Sequence, residues 1–273
     1  MVARLGLIAG NGVFPGFVAR GARAQGVEVV AVAHEGETDP GIEALVASCT
    51  WVRVGQLGRI IDTLRRAGCD HAVMAGGIGK AKLLGGFRPD LRGAAFLARL
   101  RTLHDDKILR GIASEIEAEG IPVVESTRYL PDLVPVPGPV AGRRLSRAER
   151  EDIAFGRRVA TAVGTFEIGQ TVVVRDGLVF AVEAVEGTDA AIRRGGALAR
   201  RGAVVVKASK PGQDLRFDVP AIGPGTIDSM HDVGATVLAV EARRSIVLER
   251  EMLERRALAA GIAVVAFDPE VAP

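Results

Sequence analysis

The chain has 273 residues, 48% of them apolar and 25% charged, with a formal net charge of +2. That length suits one large domain or two ordinary ones, and the apolar share is ample for a buried core. Basic and acidic residues nearly balance, and there is one Trp and one Tyr, which argues against a protein held to nucleic acid by phosphate contacts and base stacking.

The opening run, "MVARLGLIAGNG", has too short an apolar part for a signal peptide. No stretch approaches the roughly 20 apolar residues of a membrane span, so a cytoplasmic protein is expected. Cys49 and Cys69 lack the CxxC spacing of a zinc or redox site and read as small buried thiols in a reducing compartment.

Strand-like runs "RLGLIAG", "VEVVAVA", "WVRV", "HAVMAGG" and "IPVVES" alternate with helical patterns "FPGFVARGARAQG", "DPGIEALVAS", "LGRIIDTLRRAG" and "DDKILRGIASEIEAEG". Continuous apolar strands alternating with helices predict a parallel sheet covered on both faces, in a Rossmann-like α/β domain over residues 1–130. Prolines and glycines then crowd "YLPDLVPVPGPVAGRRLSRAER", which predicts a linker over 131–146. A helix follows, starting near Ser146 with Glu149 completing a capping box.

Residues 147–273 read as a second α/β domain, with a mixed sheet. "QTVVVRDGLVFAVEA" is a hairpin about Asp176-Gly177. Next come a helix at 188–199, strands "AVVVKA" and "LRFDV", a helix near 225–234, a strand "TVLAVEA", a hairpin "RRSIVL", a helix "EREMLERRALAAG" and a strand "AVVAFD".

Two glycine-rich turns in the first half are candidate anion sites. Gly10 and Gly12 follow the first strand and open a helix, where backbone amides can meet phosphate or ribose. Glu35 ends the next strand about where a dinucleotide fold carries its ribose acid. That keeps a dinucleotide-dependent oxidoreductase open, although Pro15 stands where the third glycine belongs. Gly76, Gly77 and Lys80 follow the fourth strand and could hold a phosphate, but not as a P-loop. In "FRPDLRGAAFLARLRTL", Arg88, Arg92, Arg99 and Arg101 beside Phe96, Leu97 and Leu100 make a basic amphipathic face. Such a face could meet anionic lipid, or simply pack on its own sheet.

In the second half, "VFAVEAVEGTDAAIRRGG" sets Glu183, Glu186 and Asp189 where a strand meets a helix, followed by Arg193 and Arg194. Capping explains Thr188 or Asp189 but not the two glutamates. Clustered carboxylates suit Mg²⁺, and Arg193 could hold a phosphate. Lys207 and Lys210 follow a buried strand, then Arg216 and Asp218. An acid there is costly unless paired, metal-bound or used. Gly223, Gly225 and Thr226 begin a helix and could cradle an anion. Together these segments favour a metal-assisted phosphate site.

"LIAGNGVFP", "EAVEGTDAAIRR", "VVKASKPGQDLRFDVPAIGPGTI" and a closing "DP" resemble the I-type UDP-2,3-diacylglucosamine pyrophosphatase family, in order and along the whole chain. The resemblance implies a two-domain cytoplasmic hydrolase of lipid A biosynthesis that uses Mg²⁺. It would release UMP and 2,3-diacylglucosamine 1-phosphate. Asp218 matches the aspartate on which that activity depends, and Glu186, Thr188, Asp189, Lys207 and Lys210 match its motifs. The expected roles are catalysis by Asp218, Lys207 and Lys210, and metal binding by Asp218, Glu183, Glu186 and Asp189. Substrate would be held by Gly10, Gly12, Gly76, Gly77, Lys80, Thr188, Arg193, Gly223, Gly225 and Thr226. A diacyl substrate adds contact with the inner membrane face as an expectation, and a homodimer is a further one. A noncatalytic nucleotide- or lipid-sensing protein on the same scaffold is the remaining alternative.

Overall fold

A computed structural model describes residues 3–79, 88–100 and 105–270, with the backbone alone at 105 and 106. The chain divides into two compact units. The first runs to Pro131 and includes Asp214–Phe217; the second holds Asp132–Gln213 and the chain from Asp218 onward.

The first unit contains β1 (Arg4–Ala9), α1 (Phe14–Ala24), β2 (Glu28–His34), β3 (Ser48–Val52), α2 (Leu57–Arg66), β4 (His71–Ala75), α3 (Leu91–Arg99) and α4 (Asp105–Glu117). Its four strands are all parallel, in the order β3-β2-β1-β4. This is the Rossmann-like arrangement expected from unbroken apolar strands. Strand order reverses between β1 and β4, the switch point at which such sheets bind ligands. Ile8, Val32, Ile61, Leu64 and Ile116 are among the residues of its core.

Two predicted elements of this unit differ. "DPGIEALVAS" forms only a 3-10 turn at Pro40–Leu45, because Val46 is already extended and feeds β3, which begins at Ser48, earlier than "WVRV" suggested. "IPVVES" gives a single bridge, Val123 to Ala72. Pro122 has no N–H with which to extend that pairing.

The second unit contains β5 (Gly138–Ala141), α5 (Arg147–Thr165), β6 (Thr171–Arg175), β7 (Leu178–Val182), α6 (Thr188–Ala199), β8 (Val204–Lys207), β9 (Ala221–Ile222), α7 (Pro224–His231), β10 (Val237–Glu241), β11 (Ile246–Val247), α8 (Arg250–Ala260) and β12 (Ala263–Phe267). A six-stranded mixed sheet runs β5-β12-β10-β8-β6-β7. Strands β8, β10 and β12 are parallel, while β5 and β6 run against their neighbours. Asp176 (φ 51°) and Gly177 (φ 72°) make the predicted hairpin turn, where two left-handed residues match the strand twist. Asp152 on α5 accepts both of their amides, at 2.9 and 2.7 Å. Ser146 and Glu149 form the predicted capping box of α5.

Three features of this unit depart from expectation. Part of the stretch read as a linker, Gly138–Ala141, is an edge strand paired with β12. "LRFDV" is not a strand; Leu215–Phe217 count with the first unit, where Arg216 binds Asp214 and Glu117 and Phe217 packs on the core. "RRSIVL" is not a hairpin. Arg243 turns the chain with φ 61°, and β11 pairs parallel with β9 in a separate two-stranded sheet.

Candidate active site at the carboxyl edge of the second sheet

Parallel strands β8, β10 and β12 end at one edge of the mixed sheet. The hairpin brings the start of β6 and the end of β7 to the same edge, since Thr171 pairs with Lys207 and the Glu183 amide donates to the Thr171 carbonyl. Ligands of open α/β sheets bind outside the carboxyl ends of strands.

Lys207 ends β8 at 7% exposure. Its Nζ donates to Thr188 Oγ1 at 3.2 Å and to the Ala221 carbonyl at 3.0 Å. Two of its three N–H donors are thereby committed. Thr188 Oγ1 in turn donates to Glu183 Oε1 at 2.9 Å. Glu183 is 8% exposed, and its Oε2 is buried without a hydrogen-bond partner. An ammonium, a hydroxyl and a carboxylate therefore form one chain. Burial pulls the Lys207 ammonium below the ordinary lysine value, while Glu183, Asp218 and Asp189 pull the other way. Because a buried charge persists only when paired or hydrogen-bonded, these acids and the two oxygen acceptors keep a cation tenable there.

The remaining predicted residues of this unit are exposed or have partners of their own. Asp189 is exposed in the first turn of α6, where its charge also complements the helix dipole. Glu186 binds Arg194 at 2.5 Å and accepts from the Ala184 amide, and Arg194 holds its carboxyl below the usual range. Arg193 is exposed on α6. Lys210 Nζ pairs with Glu167 at 3.0 Å. Asp218 is exposed and accepts from Gln213 Nε2 at 2.7 Å. Thr226 Oγ1 accepts from the Gly223 amide at 3.4 Å, and space beside Gly225 is open. Ala221, the acceptor of Lys207, lies two residues before Gly223, so the glycine turn is tied to the lysine through β9.

The structure thus joins Lys207, Thr188 and Glu183 and sets Asp189 and Asp218 within electrostatic reach. It gives Glu186 and Lys210 partners of their own. Among the described residues, no three His, Cys, Asp or Glu side chains form a group able to hold a metal ion. The four acids expected as metal ligands are not gathered into a cage.

Sequence reasoning missed Thr171, Gln213 and Glu241. Glu241 ends the wholly buried strand β10, is 7% exposed, and accepts the Ser209 amide at 2.6 Å. An acid closing an apolar run, "VLAVE", was a readable signal for it. Nothing local distinguishes Gln213.

In the first unit the two glycine turns lace together. The Asn11 amide donates to the Gly77 carbonyl at 2.8 Å, and the Gly77 amide to Asn11 Oδ1 at 3.2 Å. Glu37 Oε2 gathers Asn11 Nδ2 and the Gly79 amide at 2.9 and 2.8 Å. A Cβ on Gly10 would stand 2.3 Å from the Gly77 carbonyl oxygen, so the crossing itself excludes a side chain. Gly12 has open space and φ 79°. The N-terminus of α1 has no side-chain cap and no acid in its first turn. Lys80 lies outside the described residues. Glu35, the candidate ribose acid, pairs with Arg53 at 3.3 Å. At the end of β2, His34 Nδ1 meets the Ala9 carbonyl at 2.8 Å, and burial pulls its pKa down.

Helix α3 spends its apolar face internally. Phe96 is buried in the first core, Leu97 and Leu100 pack against it, and Arg92 and Arg99 pair with Glu115. Cys69 is buried, its thiol pushed up to about 11, whereas Cys49, expected inside, is half-buried. Among the described residues no helix is long and apolar enough to cross a membrane.

Comparison with known proteins gives a family for each half. The LpxI N-terminal domain model matches residues 4–133 and the LpxI C-terminal domain model residues 136–265. The UDP-2,3-diacylglucosamine pyrophosphatase LpxI of Caulobacter vibrioides is 33% identical over 99% of both chains. Among solved structures, CobK precorrin-6A reductase matches 100% of this chain and 90% of its own, at 14% identity and TM-score 0.34. N5-carboxyaminoimidazole ribonucleotide synthetase from Thermotoga maritima matches 68% of this chain at 15% identity and TM-score 0.27, and this chain spans 42% of its length. Scores that low carry no statement about shared architecture or chemistry.

Proposed function

The chain belongs to the LpxI family, and we infer that it hydrolyses the pyrophosphate of UDP-2,3-diacylglucosamine to UMP and 2,3-diacylglucosamine 1-phosphate in lipid A biosynthesis. The observation that carries this reading onto the chain's own residues is the Lys207–Thr188–Glu183 chain at a strand carboxyl edge, with Asp218 and Asp189 within electrostatic reach of its lysine.

Cleaving a diphosphate needs charge neutralised at phosphorus and a water set in line. The third N–H of Lys207 is the donor offered to a phosphate oxygen. Thr188 and the Ala221 carbonyl fix the direction of that donor, and Glu183 orients the Thr188 hydroxyl. The Gly225 amide, beside which space is open, suits a second phosphate oxygen, and exposed Arg193 adds positive charge. Asp218 is the group assigned to orient the attacking water.

Mg²⁺ belongs to the same reading. Asp218 and Asp189 would hold it with the substrate's own phosphates, because Mg²⁺ commonly takes one or two carboxylates plus phosphate rather than an all-protein cage. Bound there, it would neutralise phosphate charge and lower the pKa of water.

In the first unit taken by itself, the uncapped N-terminus of α1 after Gly12 is the place that suits an anion. Peripheral contact with the inner membrane face, where a diacyl substrate would reside, completes the proposal. Incubation with UDP-2,3-diacylglucosamine, with and without Mg²⁺, tests it. UMP release only with the metal is expected, and no release in either arm would sink the assignment. Flotation with anionic liposomes checks the membrane contact separately.

A further inference from the structure

We propose that Gln213 is a positioning residue that fixes the Asp218 carboxylate for hydrolysis; the inference rests on the function assigned above. Both ends of the Gln213 amide are spent. Its Oε1 accepts from the Lys210 amide at 2.7 Å. Its Nε2 donates to the Asp218 carbonyl at 3.0 Å and to Asp218 Oδ2 at 2.7 Å.

These bonds supply something that the backbone does not. The chain leaves the second unit after Gln213 and returns at Asp218, and the four residues between count with the first unit. On its other side Asp218 is three residues from Ala221, which Lys207 Nζ holds, but backbone placement alone does not fix the direction of the carboxylate. Asp218 is also exposed, and an exposed aspartate hops between rotamers in picoseconds to nanoseconds. Gln213 spans from Lys210 to Asp218 and holds Oδ2, which leaves Oδ1 outside that bond. Lys210 supports the same brace, since its own side chain is pinned to Glu167 and its backbone amide holds Gln213 in place.

An error of about 1 Å in a reacting geometry can cost about 10²-fold in rate. Gln213→Ala should therefore lower kcat for UMP release by about 10- to 100-fold. KM should stay within about threefold and the melting temperature within about 2 °C, as for a surface change. Gln213→Glu separates positioning from mere support of the Lys210 turn. It keeps an acceptor for the Lys210 amide but sets a carboxylate against Asp218, so it should lose at least as much kcat as the alanine variant. A kcat within about threefold of wild type in either variant, or a loss expressed only in KM, overturns the proposal.

A second measurement needs no turnover. The side-chain amide signals of Gln213, followed by ¹⁵N NMR, should move when Asp218→Ala is introduced. Unchanged signals would overturn the clasp even if the variants failed to fold. Absence of UMP release by the wild-type protein would instead overturn the functional assignment, leaving the NMR result to decide the clasp.

Discussion

Both units place sequence-rich turns at the carboxyl ends of parallel strands, yet the two edges are built differently. In the first unit, the turns after β1 and β4 satisfy one another through Asn11, Gly77, Gly79 and Glu37. Their glycines are there because two backbones cross. In the second unit, the corresponding edge holds a buried ammonium and a buried carboxylate joined through one hydroxyl, with a carboxylate oxygen left unpartnered. Glycine density at a strand end thus reports close approach of chain segments. Buried charge at a strand end is expensive enough to demand a use.

Removing the buried charge should break the second edge most severely. Lys207→Met deletes the cation and leaves Glu183 uncompensated inside the unit. Breaking a buried pair in this way costs roughly 3–5 kcal/mol, and losing an aimed donor costs roughly 10²–10³ in kcat. Thermal unfolding and UMP release should therefore both fall. Double substitution with Glu183→Gln should restore much of the stability and none of the activity. A Lys207→Met protein of wild-type stability would contradict the Lys207 chain.

Asp218→Ala should separate the two effects. Asp218 is exposed, so stability should change by no more than about 0.5 kcal/mol, while UMP release falls by about 10²-fold or more. Wild-type turnover would remove Asp218 from the chemistry. In the first unit the opposite pattern is expected. Gly10→Ala forces a methyl group to within 2.3 Å of the Gly77 carbonyl, an overpacking that costs about 1–3 kcal/mol. Denaturant midpoints should report it. If Gly10→Ala were neutral, the crossing would not be the reason for the glycine.

How far each edge could be read in advance follows from the same contrast. The parallel sheet of the first unit, the hairpin at Asp176-Gly177 and the capping box at Ser146 were legible because periodicity, turn chemistry and capping are local. Lys207 stood out at the end of a buried strand, whereas the roles expected of Thr188 and Asp218 came with the family resemblance, since "LRFDV" is no strand and Asp218 is exposed. What was not legible depends on distant partners. Glu186 looked like a metal ligand until Arg194 claimed it. "LRFDV" has a strand's composition, but Asp214 and Glu117 fix Arg216 and the first core takes Phe217. "RRSIVL" looked like a hairpin, yet β11 finds its neighbour in β9, more than twenty positions back. Gln213 carries no local mark, because its role exists only once Lys210 and Asp218 are brought together.

The smallest effect tests a charge that is structural, as a control for those proposed to be functional. Glu149 is fastened to Arg143 at 2.5 Å and to the Ser146 amide at 2.8 Å. Chiefly through the Arg143 hydrogen bond, its pKa falls from 4.5 to about 2. A carboxyl depressed on folding stabilises the native state above its unfolded value, and that stabilisation is lost as pH falls through the folded value. Arg143 is 42% exposed, which screens the pair, so the contribution is set near that of a helix cap, about 1 kcal/mol. Glu149→Gln should lower the urea midpoint at pH 7, and its difference from wild type should shrink as pH drops from 4.5 toward 2. UMP release at neutral pH should be unaffected, because Glu149 caps α5 and neither touches nor supports the Lys207 chain. A difference that stayed constant down to acid pH would show that shape alone, and not the carboxylate charge, holds this cap.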